Sequence, residues 1–166
     1  MVTSAITNLD LHDIARSAHT YGLSDLFIVH PVAAQRLLAE RVREHWITGS
    51  GARRIPDRTP AISILRVVAA LDDALAELGP GTELWVTSAS GSGTLMDFPV
   101  ARAQLEVDGA PVLLVFGTGW GLGDAVTQRA TARLSSIHGR RADGYNHLSV
   151  RAAAAIIFDR LLSTQR

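Results

Sequence analysis

Phe116-Gly117-Thr118-Gly119-Trp120-Gly121-Leu122-Gly123 places four glycines in eight residues, directly behind the apolar run Pro111–Val115. The run reads as a buried strand. A glycine-rich turn behind a strand brings bare backbone N–H and C=O groups to a ligand, because no Cβ holds the ligand away. Gly144-Tyr145-Asn146-His147-Leu148-Ser149-Val150-Arg151 is a second such turn, opening an Ala/Ile/Leu run that reads as a terminal helix. Two backbone-rich turns beside buried elements suit a small nucleoside-like cofactor. For either loop taken alone, a plain connection without a ligand stays open.

The familiar glycine motifs fail on their letters. A phosphate loop needs Gly-Lys followed by Ser or Thr, and the chain has no lysine. A dinucleotide fingerprint spaced from Gly117 and Gly119 needs glycine at position 122, which is Leu122. That fingerprint also opens a first strand–helix unit, whereas this turn lies in the last third of the chain.

At 166 residues, with 47% apolar and 19% charged, the chain is long enough for one domain, 1–166, with a genuine core. Sixteen arginines balance sixteen acids, so no global basic field advertises nucleic acid. RNA binding would have to come from local arginine clusters or from a dimer that concentrates them. Without cysteine or lysine there are no disulfides, thiolate chemistry or Schiff bases. The histidines show no HExxH-like spacing, so no metal is expected. No apolar run reaches the ~18 residues of a membrane span, and a cytoplasmic protein is the expectation.

Helical spacing of Leu11, Ile14, Ala15 and Ala18 predicts a helix over 10–21, with Asp10 able to cap it. Leu26–Val29 reads as a strand, and Pro31 as the first turn of a helix running to Trp46. Gly49–Pro60 reads as the longest polar loop. Strands are expected at 63–68, 83–87, 112–116 and 132–137, and helices at 71–78, 98–105, just after the glycine turn, and 148–162. Strands alternating with helices indicate an α/β fold with a mainly parallel sheet.

With these turns placed, the chain resembles the SPOUT (α/β-knot) S-adenosylmethionine-dependent RNA methyltransferases, in particular a small stand-alone SpoU-like/TrmD-like subgroup. The matching stretches are Thr7-Asn8-Leu9-Asp10-Leu11-His12-Asp13-Ile14-Ala15-Arg16, Phe116–Leu122 and Tyr145–Arg151, in an order and spacing that cover nearly the whole chain. The resemblance implies helices on both faces of the sheet and a deep C-terminal trefoil knot with S-adenosylmethionine bent inside it. It also implies an obligate homodimer with two pockets near its interface, acting in RNA modification or tRNA processing.

By that resemblance the cofactor loops are the turn holding Ser88, Ala89 and Ser90, the turn with Phe116, Gly117, Thr118, Gly119, Gly121 and Leu122, and the segment His147, Leu148, Ser149 and Val150. Arg16 falls where the family has an arginine implicated in substrate phosphate contact or in activating a ribose hydroxyl. A guanidinium whose pKa exceeds ~12 is a poor base, so phosphate anchoring or charge stabilisation is its easier role. The bland reading of Arg16 is a surface salt bridge to Asp13 or Asp25. His147 and His12 are the natural proton acceptors near neutral pH. Arg16, His147 and Asn146 form the candidate catalytic set, though a histidine beside a helix start is as often a backbone partner. Arg53, Arg54 and Arg58, with Arg140 and Arg141, are candidates to track an RNA backbone, against a merely solvated charged surface. The last helix is apolar almost all round, which fits burial on more than one side.

The leading expectation is an enzyme moving a methyl group from S-adenosylmethionine to a ribose 2′-oxygen or a base nitrogen of tRNA or rRNA. The alternative is a non-catalytic module binding a nucleoside or RNA through the same pocket, which the neutral net charge favours.

Overall fold

Thr7 decides where the first helix begins. Its hydroxyl accepts the Asp10 N–H at 3.1 Å and donates to the Asp10 carboxylate at 2.5 Å. Thr7 is therefore the N-cap in place of Asp10, and helix α1 runs Asn8–Thr20. A computed structural model describes residues 4–87 and 94–164 of the chain. They fall into two compact units, one ending at Glu77 and the other starting at Leu78.

In the N-terminal unit α1 buries Leu11, Ala15 and Ala18, the i, i+4, i+7 face that the sequence displays. Strands β1 (Leu26–Val29) and β2 (Leu65–Val68) pair in parallel, Leu26 opposite Leu65 and Val29 opposite Val68. Helix α2 runs Ala33–Ile47, two residues later than the Pro31 start expected. The cause is His30: its Nδ1 accepts the Val32 N–H at 3.1 Å, holding Val32 extended at the N-cap. Leu11, Ala39 and Leu65 form the buried cluster, flanked by Ile6, Ile28, Val42 and Val67.

Residues 49–60 are not a loop. They form helix α3 (Ser50–Arg54), a 3-10 turn (Pro56–Arg58) and the start of helix α4 (Thr59–Ser63). Pro56 and Pro60 sit in first turns, where the missing N–H costs nothing, so they start helical turns here. Tertiary ties hold the segment: the Thr59 hydroxyl donates to the Trp46 carbonyl at 3.0 Å. A Cβ on Gly51 would stand 2.7–2.8 Å from the rings of His45 and Trp46, so only glycine allows this approach. The second strand is also shorter than expected, because 63–64 close α4. Helix α5 (Leu71–Leu78) follows.

The C-terminal unit holds a parallel sheet of strand order β4-β3-β5, built from β3 (Glu83–Val86), β4 (Val112–Val115) and β5 (Ala132–Arg133). The last strand is two residues instead of the six expected. Beyond it Leu134 N–H still bonds Val86 carbonyl at 3.0 Å, and Ser135 N–H bonds Met96 carbonyl at 2.9 Å, a single-residue bridge that ends the ladder. Helices α6 (Phe98–Leu105), α7 (Asp124–Thr127) and α8 (Val150–Leu162) complete the unit. Helix α8 starts at Val150 because the Ser149 hydroxyl accepts the Ala152 N–H at 3.2 Å.

Trp85, Ala101, Leu134, Ile157 and Leu161 make the core of this unit. The Trp85 indole is fully buried, and its N–H donates to the Glu83 carboxylate at 2.8 Å, which meets its one polar need. Phe158 packs edge-on against Phe116 at 5.7 Å, and the Arg160 guanidinium lies 4.8 Å over the Phe98 ring. Arg102 donates to the Ser163 carbonyl and clamps α6 to the end of α8. Only Asp159 and Arg160 of α8 are exposed, as an almost all-apolar helix requires.

Candidate functional site

Parallel strands end on one edge of their sheet, so the chain leaving β3, β4 and β5 leaves from the same edge. The connection from β4 to β5 crosses β3, which lies between them. Such a crossing opens a crevice beyond the carboxyl ends of the strands, the usual ligand position in parallel α/β sheets. Two of the sequence-predicted segments, 116–123 and 146–150, lie in the connections that follow β4 and β5. Ser88, Ala89 and Ser90 lie outside the described residues.

The first turn closes tightly on itself. Gly121 N–H bonds the Thr118 carbonyl at 3.1 Å, and these two residues form an isolated bridge. Gly119 and Gly121 have φ of 55° and 85°, a region L side chains rarely adopt. A Cβ on Gly117 would stand 2.5 Å from the Gly121 carbonyl carbon and 2.7 Å from the Leu122 nitrogen. The glycines thus make a compact rim of backbone, half-buried at Phe116, Gly117 and Leu122 and exposed at Thr118, Gly119 and Gly121. Such a rim offers main chain instead of side chains to whatever approaches it.

The second segment is pinned from both sides. Arg141 Nε lies 2.9 Å from both carboxylate oxygens of Asp143, which also accepts the Tyr145 N–H at 3.1 Å. The Arg141 bond is the main cause holding the Asp143 carboxyl below its ordinary range, and much of the Arg141 charge is answered locally. Asn146 Nδ2 donates to the Ile137 carbonyl at 2.7 Å, closing the loop over nine residues of sequence. That bond gives Asn146 a structural role whatever its chemistry. His147 is exposed, with its ring 5.4 Å from that of Tyr145. Leu148 is exposed, Val150 is half-buried, and Ser149 is committed to capping α8.

Arg16, Arg53, Arg54 and Arg58 belong to the N-terminal unit. Arg16 is exposed on α1, and Asp25, its suggested salt-bridge partner, is bonded by Arg66 Nε at 2.5 Å. Arg53 and Arg54 are exposed at the end of α3, whereas the Arg58 guanidinium stacks 4.9 Å over the Trp46 ring. Edge-on to the same indole stand His12 at 5.2 Å and His45 at 5.3 Å. Burial first, then the Arg58 and Arg16 guanidiniums against the opposing Asp13, lowers the His12 pKa from the ordinary 6.5. Its Nδ1 is sealed from water with no hydrogen-bond partner among the described residues. Sequence reasoning missed this Trp46-centred cluster, whose members are spread over positions 12 to 58 and share no spacing.

Among the described residues no group of three or more His, Asp or Glu could hold a metal ion, and no helix is long and apolar enough to cross a membrane.

A family model described as SAM-dependent RNA methyltransferase matches residues 1–163. A tRNA (guanine-N(1)-)-methyltransferase of Nitratidesulfovibrio vulgaris is 46% identical over 96% of this chain. The chain spans only 37% of that relative's length, so the named reaction does not pass to it on this likeness. An uncharacterized protein of Aquifex aeolicus is 32% identical over 100% of the chain and 82% of its own length. Among solved structures, TrmJ from Z. mobilis ZM4 superposes with a TM-score of 0.65 at 19% identity, over 99% of this chain and 70% of its own. That likeness is one of fold.

Proposed function

We propose that this chain, which belongs to the SAM-dependent RNA methyltransferase family, binds S-adenosylmethionine at the crevice edge of the β4-β3-β5 sheet and transfers its methyl group to RNA. The observation that carries the reading is the pair of pinned, backbone-rich connections leaving one edge of a parallel sheet, inside a chain matched by the family over 1–163. The cofactor supplies an electrophilic methyl group. Phe116, Gly117, Thr118, Gly119, Gly121 and Leu122 line one side of its place, and His147, Leu148, Ser149 and Val150 the other.

The protein's share of such a displacement is to orient donor and acceptor, exclude water and take up one proton. Arg16 serves the RNA phosphate, and an imidazole takes the proton. The acceptor is a ribose 2′-oxygen or a base nitrogen of tRNA or rRNA. Arg53, Arg54, Arg58, Arg140 and Arg141 guide the strand, with Arg58 and Arg141 the weakest contributors because indole and carboxylate already engage them. The unbroken family match across the boundary at residue 77 supports one functional domain, and the family resemblance supports a knotted, homodimeric protein with helices on both sheet faces.

Tritium transfer from labelled S-adenosylmethionine to undermodified total RNA tests the reading. Labelled RNA above a heat-killed control is the expected result. Cofactor binding without any label in RNA would leave only a binding module.

A further inference from the structure

Trp120 is 93% exposed, more than any other large apolar side chain among the described residues. It stands at the tip of the Thr118–Gly121 turn, between two glycines of positive φ. An indole there adds nothing to the core and leaves a large apolar ring in water. Its chain neighbours on both sides are glycines, so no adjacent side chain covers the ring, and the tip presents a flat π face. In the connection that leaves the same sheet edge after β5, Tyr145 is 62% exposed and Arg140 is exposed. Aromatic faces and a guanidinium on connections that leave one sheet edge match the chemistry of single-stranded nucleic acid sites, where bases stack and phosphates pair.

We propose that the Trp120 ring is a stacking platform for a nucleobase of the RNA strand. The inference rests on the RNA methyltransferase reading and names the residue that seats the strand at the glycine turn. A planar base could also come from the cofactor's adenine. The RNA strand is the better occupant because the ring stands at the exposed tip while the backbone rim beneath is what suits the cofactor.

The test compares binding of fluorescent oligoadenylate with that of an abasic strand of equal length, for the wild type, Trp120→Phe and Trp120→Ala. Stacking worth ~1–3 kcal/mol per base predicts that the wild type prefers the base-bearing strand by about tenfold. Trp120→Ala should erase that preference and Trp120→Phe keep part of it, with S-adenosylmethionine affinity and particle mass unchanged. No preference in the wild type, or an equal preference in Trp120→Ala, overturns the proposal. So does loss of cofactor affinity, which assigns the ring to the adenine, or a halved mass, which assigns it to a second copy of the chain. A Trp120-dependent preference in a protein that transfers no methyl to RNA upholds this proposal and defeats only the enzymatic reading. Methyl transfer without such a preference does the reverse.

Discussion

Arg16 and His12 lie one helical turn apart on α1, and their surroundings assign them different work. An exposed guanidinium offers a fork that matches phosphate oxygens and keeps its charge at every accessible pH. Arg16→Ala is expected to leave S-adenosylmethionine affinity nearly unchanged and lower RNA methylation at least tenfold, a barrier rise of ~1.4 kcal/mol or more. Arg16→Lys should recover only part of the rate. Calorimetry on the cofactor beside steady-state rates on RNA reads both outcomes, and loss of cofactor binding in Arg16→Ala would remove the assignment. Burial first, and then the Arg58 charge, favours the neutral form of His12. Its folded pKa lies below the unfolded value, so below about pH 6.5 the unfolded chain takes up a proton that the native state refuses. Its contribution is complete above that pH and is lost as pH falls from 6.5 toward the lowered value. Denaturant titrations of the wild type and His12→Gln across that window should show a steeper acid loss for the wild type. Parallel slopes would mean His12 is not the group responsible.

At the scale of the element, the Gly117–Gly123 turn is shaped by contacts between main-chain atoms. A methyl group on Gly117 would collide with the Gly121 and Leu122 backbone, which cannot swing aside as a side-chain end would. Gly117→Ala is therefore expected to open the turn, weaken S-adenosylmethionine binding at least tenfold and leave the helical circular dichroism intact. Gly119→Val would be a poorer probe, since the φ of 55° at Gly119 strains any branched residue regardless of ligand. Gly123 is a suitable control: its φ is ordinary, and a Cβ there meets nothing within 4 Å. Unchanged calorimetric affinity in a folded Gly117→Ala protein would move the cofactor away from this turn.

At the scale of the whole molecule the last helix bears on assembly. Helix α8 keeps Ile156 and a run of alanines half-buried beside its fully buried face of Ala154, Ile157, Phe158 and Leu161. A homodimer would finish the burial of that second face. The expected mass by light scattering at micromolar concentration is twice that of the chain. Ile156→Glu should give a monomer or an insoluble protein, because a charge stripped of water costs several kcal/mol. A monomeric wild type would count against the dimer, with two pockets near its interface, that the family resemblance implies.

The α/β class, the parallel pairing, six of the eight helices among the described residues and the glycine turn were legible because each rests on local chemistry. Apolar spacing marks α1, proline and glycine punctuate the chain, and short apolar runs mark the strands. Misreadings came where a distant group settled a local choice. His30, its Nε2 held at the distant Ser4 carbonyl at 3.0 Å, delays α2 by taking the Val32 N–H, and the ring and carbonyl of Trp46 gather residues 51–59 into helical turns that read as loop. The last strand stops after two residues because Met96, far away in sequence, supplies only one more bridge. Candidate site residues were legible where glycine itself carried the signal. The cluster of His12, His45, Trp46 and Arg58 was not, because its members come from three separate elements. Side-chain type and short-range spacing are local properties of a sequence. Which buried nitrogen goes unpaired, which histidine is disfavoured as a cation by its burial and which indole is left in water depend on contacts that only the folded chain makes.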